Sequence, residues 1–302
     1  MSTNVVETHG LAKYYGRRRG LESLDMEVRA GEVYGFLGPN GAGKTTAIRV
    51  LLDLIRPTAG RAQVFGQSPR AGGASLRRRI GYLAGDFIVD GGQTSRQLLE
   101  HLARLRGGLP NGRIEQHADR LELDLDVRIG SLSRGNRQKL GLVQAFMHQP
   151  ELLVLDEPTT GLDPLLQQTF LLMASEARDA GQTVLMSSHV LSEVQQSADR
   201  VGIVRDGVMV AVESVEGLRN HAVRRVEIRF DEPVAEAEFS ALPGVSELSL
   251  SGSTLRCRLT GRADTLIKAA ARHALESMTI IEPDLEELFM AYYQGEETPQ
   301  GG

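Results

Sequence analysis

Cysteine is almost missing from this chain. Its 302 residues include one, Cys257, which excludes an internal disulfide and any four-cysteine or Cys₂His₂ zinc site. A small apolar residue in a strand accounts for it. No apolar run approaches the roughly 18 residues of a membrane span, and Met1 to Gly10 lacks the pattern of a signal peptide. A soluble, cytosolic chain is expected, meeting a membrane only through a partner. Positive charge is not in excess either: 34 Lys and Arg stand against 39 Asp and Glu, a net charge of −5. No nucleic-acid partner is expected from that balance. Internal repeats are absent. What is present is apolar material, 41% of the residues, enough for a large α/β domain and a small second one.

The most informative stretch is Gly38-Pro39-Asn40-Gly41-Ala42-Gly43-Lys44-Thr45-Thr46. It fits G-x-x-x-x-G-K-[ST], the loop that cradles phosphates. A triphosphate is dense negative charge and needs several donors converging at short range. Three glycines let the backbone curl so that successive N–H groups point into one concavity. The helix that follows adds its free N–H groups and positive dipole end. Lys44 would reach the β- and γ-phosphates, and the Thr45 hydroxyl would ligate Mg²⁺. The flanks agree, with a strand at Glu32 to Leu37 and a helix at Thr46 to Leu52.

Upstream, Thr8 to Tyr15 and Leu21 to Val28 read as antiparallel strands joined by the basic turn Gly16 to Gly20, a solvated hairpin tip. Tyr15 is an aromatic beside that turn, suited to core packing or to stacking on a nucleobase. Spacing alone favours packing. Downstream, strands are expected at Gly60 to Phe65 and Ile80 to Leu83. The Arg77-Arg78-Arg79 run reads as an exposed helix end or a face for an acidic partner. From Asp86 to Pro150 the pattern turns helical, over Thr94 to Arg106, Arg113 to Leu123, and Leu140 to Met147 opened by Ser133-Arg134-Gly135-Asn136.

Leu152-Leu153-Val154-Leu155 is a buried parallel strand by its apolar run. Asp156 and Glu157 then stand at its carboxyl end, where open α/β sheets place their ligand crevice. The chemistry calls for one acid to hold the Mg²⁺ shell and a second to orient or deprotonate water. Asp156 fits the first role and Glu157 the second. A helix is expected at Leu165 to Arg178, a strand at Gln182 to Ser188 ending on His189, and a helix at Leu191 to Asp199. Arg205-Asp206-Gly207 marks a hairpin. His189, at the carboxyl end of the Gln182 to Ser188 strand, is placed to contact a γ-phosphate, but a lone histidine is more often structural. This alternation predicts a mostly parallel sheet with helices on both faces. Beyond Gly217, strands at Val223 to Phe230 and Thr254 to Leu259, with helices at Ala263 to Leu275 and Asp284 to Tyr293, suggest a small α+β appendage. The tail from Gln294 to Gly302 is polar and glycine-rich, as disordered segments are.

Taken together, the phosphate loop, Leu132-Ser133-Arg134-Gly135-Asn136-Arg137-Gln138-Lys139, Leu152 to Pro164 and Ser187-Ser188-His189 resemble the ATP-binding subunits of ABC transporters, in order and spacing over about residues 5–215. The resemblance implies a P-loop NTPase cassette of the α/β class. Its sheet would be mostly parallel with antiparallel N-terminal strands, spanning residues 1–217, with a helical subdomain at about 86–150. A small C-terminal α+β domain, 218–293, and a disordered tail, 294–302, would follow. It also implies a head-to-tail homodimer, or a pair with a related ATPase subunit, closing on two ATPs. Ser133 and Gly135 would touch the γ-phosphate held by the other subunit, Tyr15 would stack on adenine, Asp163 would couple the two sites, and His189 would be the switch histidine.

Two departures stand out. The glutamine the family carries after the Ile80 to Ala84 strand is Gly85 here, followed by Asp86 as a candidate substitute. The signature reads Leu-Ser-Arg-Gly-Asn in place of Leu-Ser-Gly-Gly-Gln. The segment Glu282 to Phe289 is similar to the C-terminal domain of ABC-2-type drug and antibiotic exporter subunits. The implied function is an ATPase driving export through separately encoded ABC-2-type permease subunits, peripheral on the cytoplasmic face of the membrane. A soluble ABC ATPase acting on ribosomes or DNA is the alternative. Members of that kind usually carry two cassettes, coiled coils or zinc modules, which this chain does not have. A regulator without turnover is disfavoured by the intact Asp156, Glu157 and His189. The transported substrate is not encoded in this chain.

Overall fold

The structure is a computed structural model that describes residues 3–217 and 224–281. It divides into two compact units, Met1–Glu213 and Ser214–Gly302. In the first, the chain runs through β1 (Asn4–Tyr15), β2 (Arg18–Arg29), β3 (Val33–Leu37), α1 (Lys44–Leu51), β4 (Ala59–Val64), α2 (Pro69–Arg78) and β5 (Ile80–Leu83). It continues with α3 (Ser95–Leu105), α4 (Arg113–Arg120), α5 (Arg134–Phe146), β6 (Leu152–Asp156), α6 (Pro164–Asp179), β7 (Thr183–Ser188), α7 (Leu191–Ser197), β8 (Arg200–Arg205) and β9 (Val208–Ser214).

All nine strands join one sheet in the order β4-β1-β2-β9-β8-β3-β7-β6-β5. The β5-β6-β7-β3-β8 half is parallel, and β1 pairs antiparallel with both β2 and β4. Every residue of β3, β6 and β7 is buried, as expected of parallel strands covered on both faces. Tyr34, Phe36, Ile48, Leu51, Val154 and Leu185 pack in one core cluster. Each of the aliphatic side chains and Phe36 contributes about 1.5–3 kcal/mol by leaving water. That rigid slab fixes the carboxyl ends of β3, β6 and β7 side by side. Asp206 and Gly207, both at positive φ (52° and 76°), make the expected tight turn between β8 and β9.

The helical stretch between β5 and β6 is anchored at both ends. A reciprocal capping box starts α3: Gln97 N–H donates to Thr94 Oγ1 and Thr94 N–H to Gln97 Oε1. Arg79, expected in an exposed basic run, instead makes a two-pronged pair with Glu151 at 2.6 Å and lies 3.7 Å above the Phe65 ring.

The second unit runs β10 (Arg224–Phe230), α8 (Ala237–Ser240), β11 (Val245–Ser251), β12 (Thr254–Leu259), α9 (Asp264–Ala270) and β13 (Leu275–Ile281). Its sheet order is β11-β12-β10-β13, with β10, β12 and their neighbours antiparallel. This is the βαββαβ ferredoxin-like arrangement. Cys257 lies in β12, buried against Val226, Phe239 and Leu266. Two strands correct the sequence reading. The register shift between Ser246 and Ser249 breaks the alternation that would have marked β11. The helix expected to run to Leu275 ends at Ala270, and Leu275 opens β13. The helix expected at Asp284 to Tyr293 and the tail from Gln294 lie outside the described residues.

Candidate functional site

The loop after β3 turns on glycine. Gly43 has φ 110°, and a Cβ there would sit 2.6 Å from the Gly20 carbonyl oxygen, so no other residue fits. It caps α1, whose first residue is Lys44. Against this loop opens a cleft of about 520 Å³ lined by Tyr15, Pro39, Asn40, Gly41, Gly43, Lys44, Thr45, Thr46 and Glu157. Gly38 and Ala42 are buried in the same turn, with the Gly38 N–H bonded to the Ser188 carbonyl at 3.3 Å. Sequence reading missed further lining residues, among them Arg18, Arg19 and Arg49. The first two come from the hairpin tip read as solvated. Their signal was adjacency to Tyr15, whose backbone pairs with Arg18. Arg19 is held by Glu22 at 2.6 Å and Asp206 at 3.1 Å.

At the floor, the Lys44 ammonium is 5% exposed and lies 3.2 Å from Glu157 Oε1. It also donates to the carbonyls of Gly38 and Pro39. The other carboxylate oxygen, Glu157 Oε2, lies 2.7 Å from His189 Nδ1. A carboxylate can only accept, so Nδ1 carries the proton in this contact. Glu157 has φ 51°, a left-handed conformation that costs a non-glycine residue roughly 1–2 kcal/mol. Its peptide is held in place: the N–H donates to Ser187 Oγ at 3.0 Å, and the carbonyl accepts from Gln138 Nε2 at 3.1 Å and Thr160 N–H at 3.2 Å.

Asp156 is 1% exposed. Its Oδ1 accepts from Ser187 Oγ at 2.6 Å, while Oδ2 is buried with no partner. An orphaned buried carboxylate oxygen is costly and suits a hard cation, which oxygen ligands hold best. Gly85 keeps the space beside it open: a Cβ at that position would stand 3.3 Å from Oδ2. Asp86 next to it is exposed. The unpartnered Oδ2 of Asp156 therefore fits a divalent cation.

Ser133, Gly135 and Asp163 do not line this cleft. Ser133 caps α5, accepting from Asn136 N–H at 3.2 Å. Asp163 caps α6, accepting from Leu165 and Leu166 N–H at 3.1 and 3.0 Å. A Cβ on Gly135 would meet the Gly161 carbonyl oxygen at 2.7 Å, so the start of α5 lies close against the loop that leads to Asp163.

The family model described as "ABC transporter" matches residues 21–160. The daunorubicin/doxorubicin resistance ATP-binding protein DrrA of Streptomyces peucetius is 34% identical, over 96% of this chain and 92% of its own. The chain belongs to the ABC transporter family. The bacitracin transport ATP-binding protein BcrA of Bacillus licheniformis is 38% identical over 70% of this chain and 69% of its own. A solved ATP-binding subunit of an ABC transporter superposes with a TM-score of 0.65 at 28% identity, covering 71% of this chain and 92% of that one. A dimeric bacterial ABC transporter cassette, 20% identical with a TM-score of 0.64, shares the fold. The chain therefore carries an ABC ATPase domain, the class of domain that binds and hydrolyses ATP. Among the described residues, no helix is long and apolar enough to cross a membrane.

Proposed function

We propose that this chain is the ATP-hydrolysing subunit of a drug- or antibiotic-exporting ABC transporter, working as a pair closed on two ATPs beneath ABC-2-type permease subunits. The names of the relatives, bacitracin transport and daunorubicin resistance, favour this over action on ribosomes or DNA. The observation that carries the reading is the Glu157 carboxylate held between Lys44 and His189, beside the unpaired oxygen of Asp156.

In this reading Tyr15 stacks on adenine, and the N–H groups of the Gly38 to Thr46 loop cradle the phosphates. The anionic phosphate oxygens compete with Glu157 for Lys44, so nucleotide draws the ammonium over and frees the carboxylate. Glu157 then accepts a proton from the attacking water, while His189 donates to Glu157 or to the γ-phosphate. Thr45 and Asp156 would hold Mg²⁺, which supplies neutralisation of charge on the β,γ-phosphates. Ser133 and Gly135 at the start of α5 would meet the γ-phosphate of the partner subunit, and Asp163 would lie at the junction. Two triphosphates bridging both halves favour the closed pair, and hydrolysis removes the bridge.

The test is purification of tagged Glu157→Gln protein with ATP from solubilised membranes of its own host. A multi-span membrane protein in stoichiometric amount supports the transporter reading. Ribosomal or DNA-repair proteins without one would overturn it.

A further inference from the structure

Gln138 is a polar side chain in the core, 5% exposed, on the inner side of α5. Its Nε2 donates to two consecutive carbonyls, Glu157 O at 3.1 Å and Pro158 O at 2.9 Å. Neither bond supports secondary structure; both fall on the peptides that set where Glu157 points. From the opposite side Ser187 Oγ takes the Glu157 N–H. The left-handed Glu157 is therefore gripped from β7 and from α5. Because Pro158 follows, the right-handed helical region is disfavoured for Glu157, and release of the grip leaves it to the extended conformations.

Helix α5 is also the element whose first turn carries Ser133 and Gly135. It meets the Glu157–Asp163 loop at two points, Gly135 beside the Gly161 carbonyl and Gln138 on Glu157 and Pro158. A short, rigid helix that shifts at its N-terminus must carry both contacts with it. We propose that Gln138 is a positioning residue for hydrolysis, linking the Ser133 end of α5 to the carboxylate of Glu157 in the same chain. Whatever orders the start of α5 is thereby felt at this chain's own general base, so that one ATP site senses the other. The proposal rests on the reading of Glu157 as base and of the α5 N-terminus as the contact for the partner subunit's nucleotide.

The test uses the full chain and steady-state ATP hydrolysis. Gln138→Met keeps length and removes both donors. The expected result is a fall in kcat of about 100-fold, the scale of a misplaced catalytic group, with KM within twofold and ATP binding retained. Gln138→Glu, run beside it, should recover activity towards acid pH, where a protonated carboxyl regains one donor, while Gln138→Met should not. If Ser133 and Gln138 act along one path, Ser133→Ala with Gln138→Met loses no more than the worse single variant; losses that multiply overturn the link. Glu157→Gln separates the two levels. Glu157→Gln inactive with Gln138→Met at parental kcat overturns the positioning role alone. Glu157→Gln at parental turnover removes the base assignment and this proposal with it. Should Gln138→Met fail to fold, Gln138→Glu decides: a pH profile parallel to that of the parent overturns the proposal.

Discussion

Lys44 and Glu157 form a nearly enclosed ion pair, Nζ to Oε1 3.2 Å, at the floor of the cleft against the Gly38 to Thr46 loop. In the proposed mechanism the reaction needs these two residues apart, and here they are each other's partners. Pairing satisfies two charges that would be expensive to bury singly. It also means that a triphosphate must outbid a carboxylate for the lysine.

Replacing Lys44 by Ala removes the cation that pairs with Glu157 and, in the proposed reading, with the phosphates. Losing one partner of a buried charge pair costs about 2 kcal/mol or more, roughly 30-fold in Kd. Fluorescent nucleotide titration of Lys44→Ala should show at least that loss. Affinity within threefold of the parent would mean that the lysine does not reach the phosphates.

Ser187 is the hinge of the acidic pair, donating to Asp156 Oδ1 at 2.6 Å and accepting from the Glu157 N–H at 3.0 Å. Ser187→Ala removes both bonds in a fully buried place and leaves a buried N–H without its partner. A cost of about 1–3 kcal/mol is expected, read as a lower denaturation midpoint in urea, together with slower hydrolysis at saturating ATP.

Gly85 leaves room at Asp156 Oδ2. Gly85→Ala brings a methyl group to 3.3 Å from that oxygen, closer than it sits comfortably and in the way of a hydrated cation. Losing about one hydrogen bond's worth of ligand energy, 0.5–1.5 kcal/mol, corresponds to a several-fold rise in the Mg²⁺ needed for half-maximal hydrolysis. An unchanged Mg²⁺ dependence would place the cation elsewhere.

The Gly38 to Thr46 turn and the place of Asp156 and Glu157 at the end of β6 were legible in the sequence because they are written in neighbouring residues. Strand, tight turn and helix follow one another there. Gln138 and Ser187 stand in motif stretches the sequence offered, but no role for either was legible there. Their bonds reach 19 and 30 residues along the chain to Glu157, and only the packed sheet brings them there. The same holds for Arg79, whose partner Glu151 is 72 residues away. In the second unit the misses are local: a bulge hides the alternation of β11, and Leu275 continues an apolar pattern across a helix end. The cation-fitting gap at Gly85 was visible only as a departure from the family's pattern; its meaning depends on where Asp156 Oδ2 points.

Two histidines, His117 buried and His148 half-buried, should make the first unit sensitive to acid. His117 in α4 has neither ring nitrogen partnered, and burial, with Arg113 and Arg120 adding to it, lowers its pKa from 6.5 to about 4. His148 is likewise lowered to about 4, by burial first and by Arg106 second. In the unfolded chain both titrate near 6.5, so between that value and about 4 the unfolded state binds more protons than the folded one. Stability then rises with pH across this window and is lost as pH falls through it. Each histidine accounts for roughly 2–3 kcal/mol of that loss at its lower end. The urea midpoint should therefore drop between pH 6.5 and 4.5. His117→Leu, which cannot take up a proton and suits the contact with Phe146, should flatten part of the drop. A parent and variant with parallel pH profiles would mean that His117 is protonated in the folded protein without penalty, and that the acid sensitivity lies in the carboxylates.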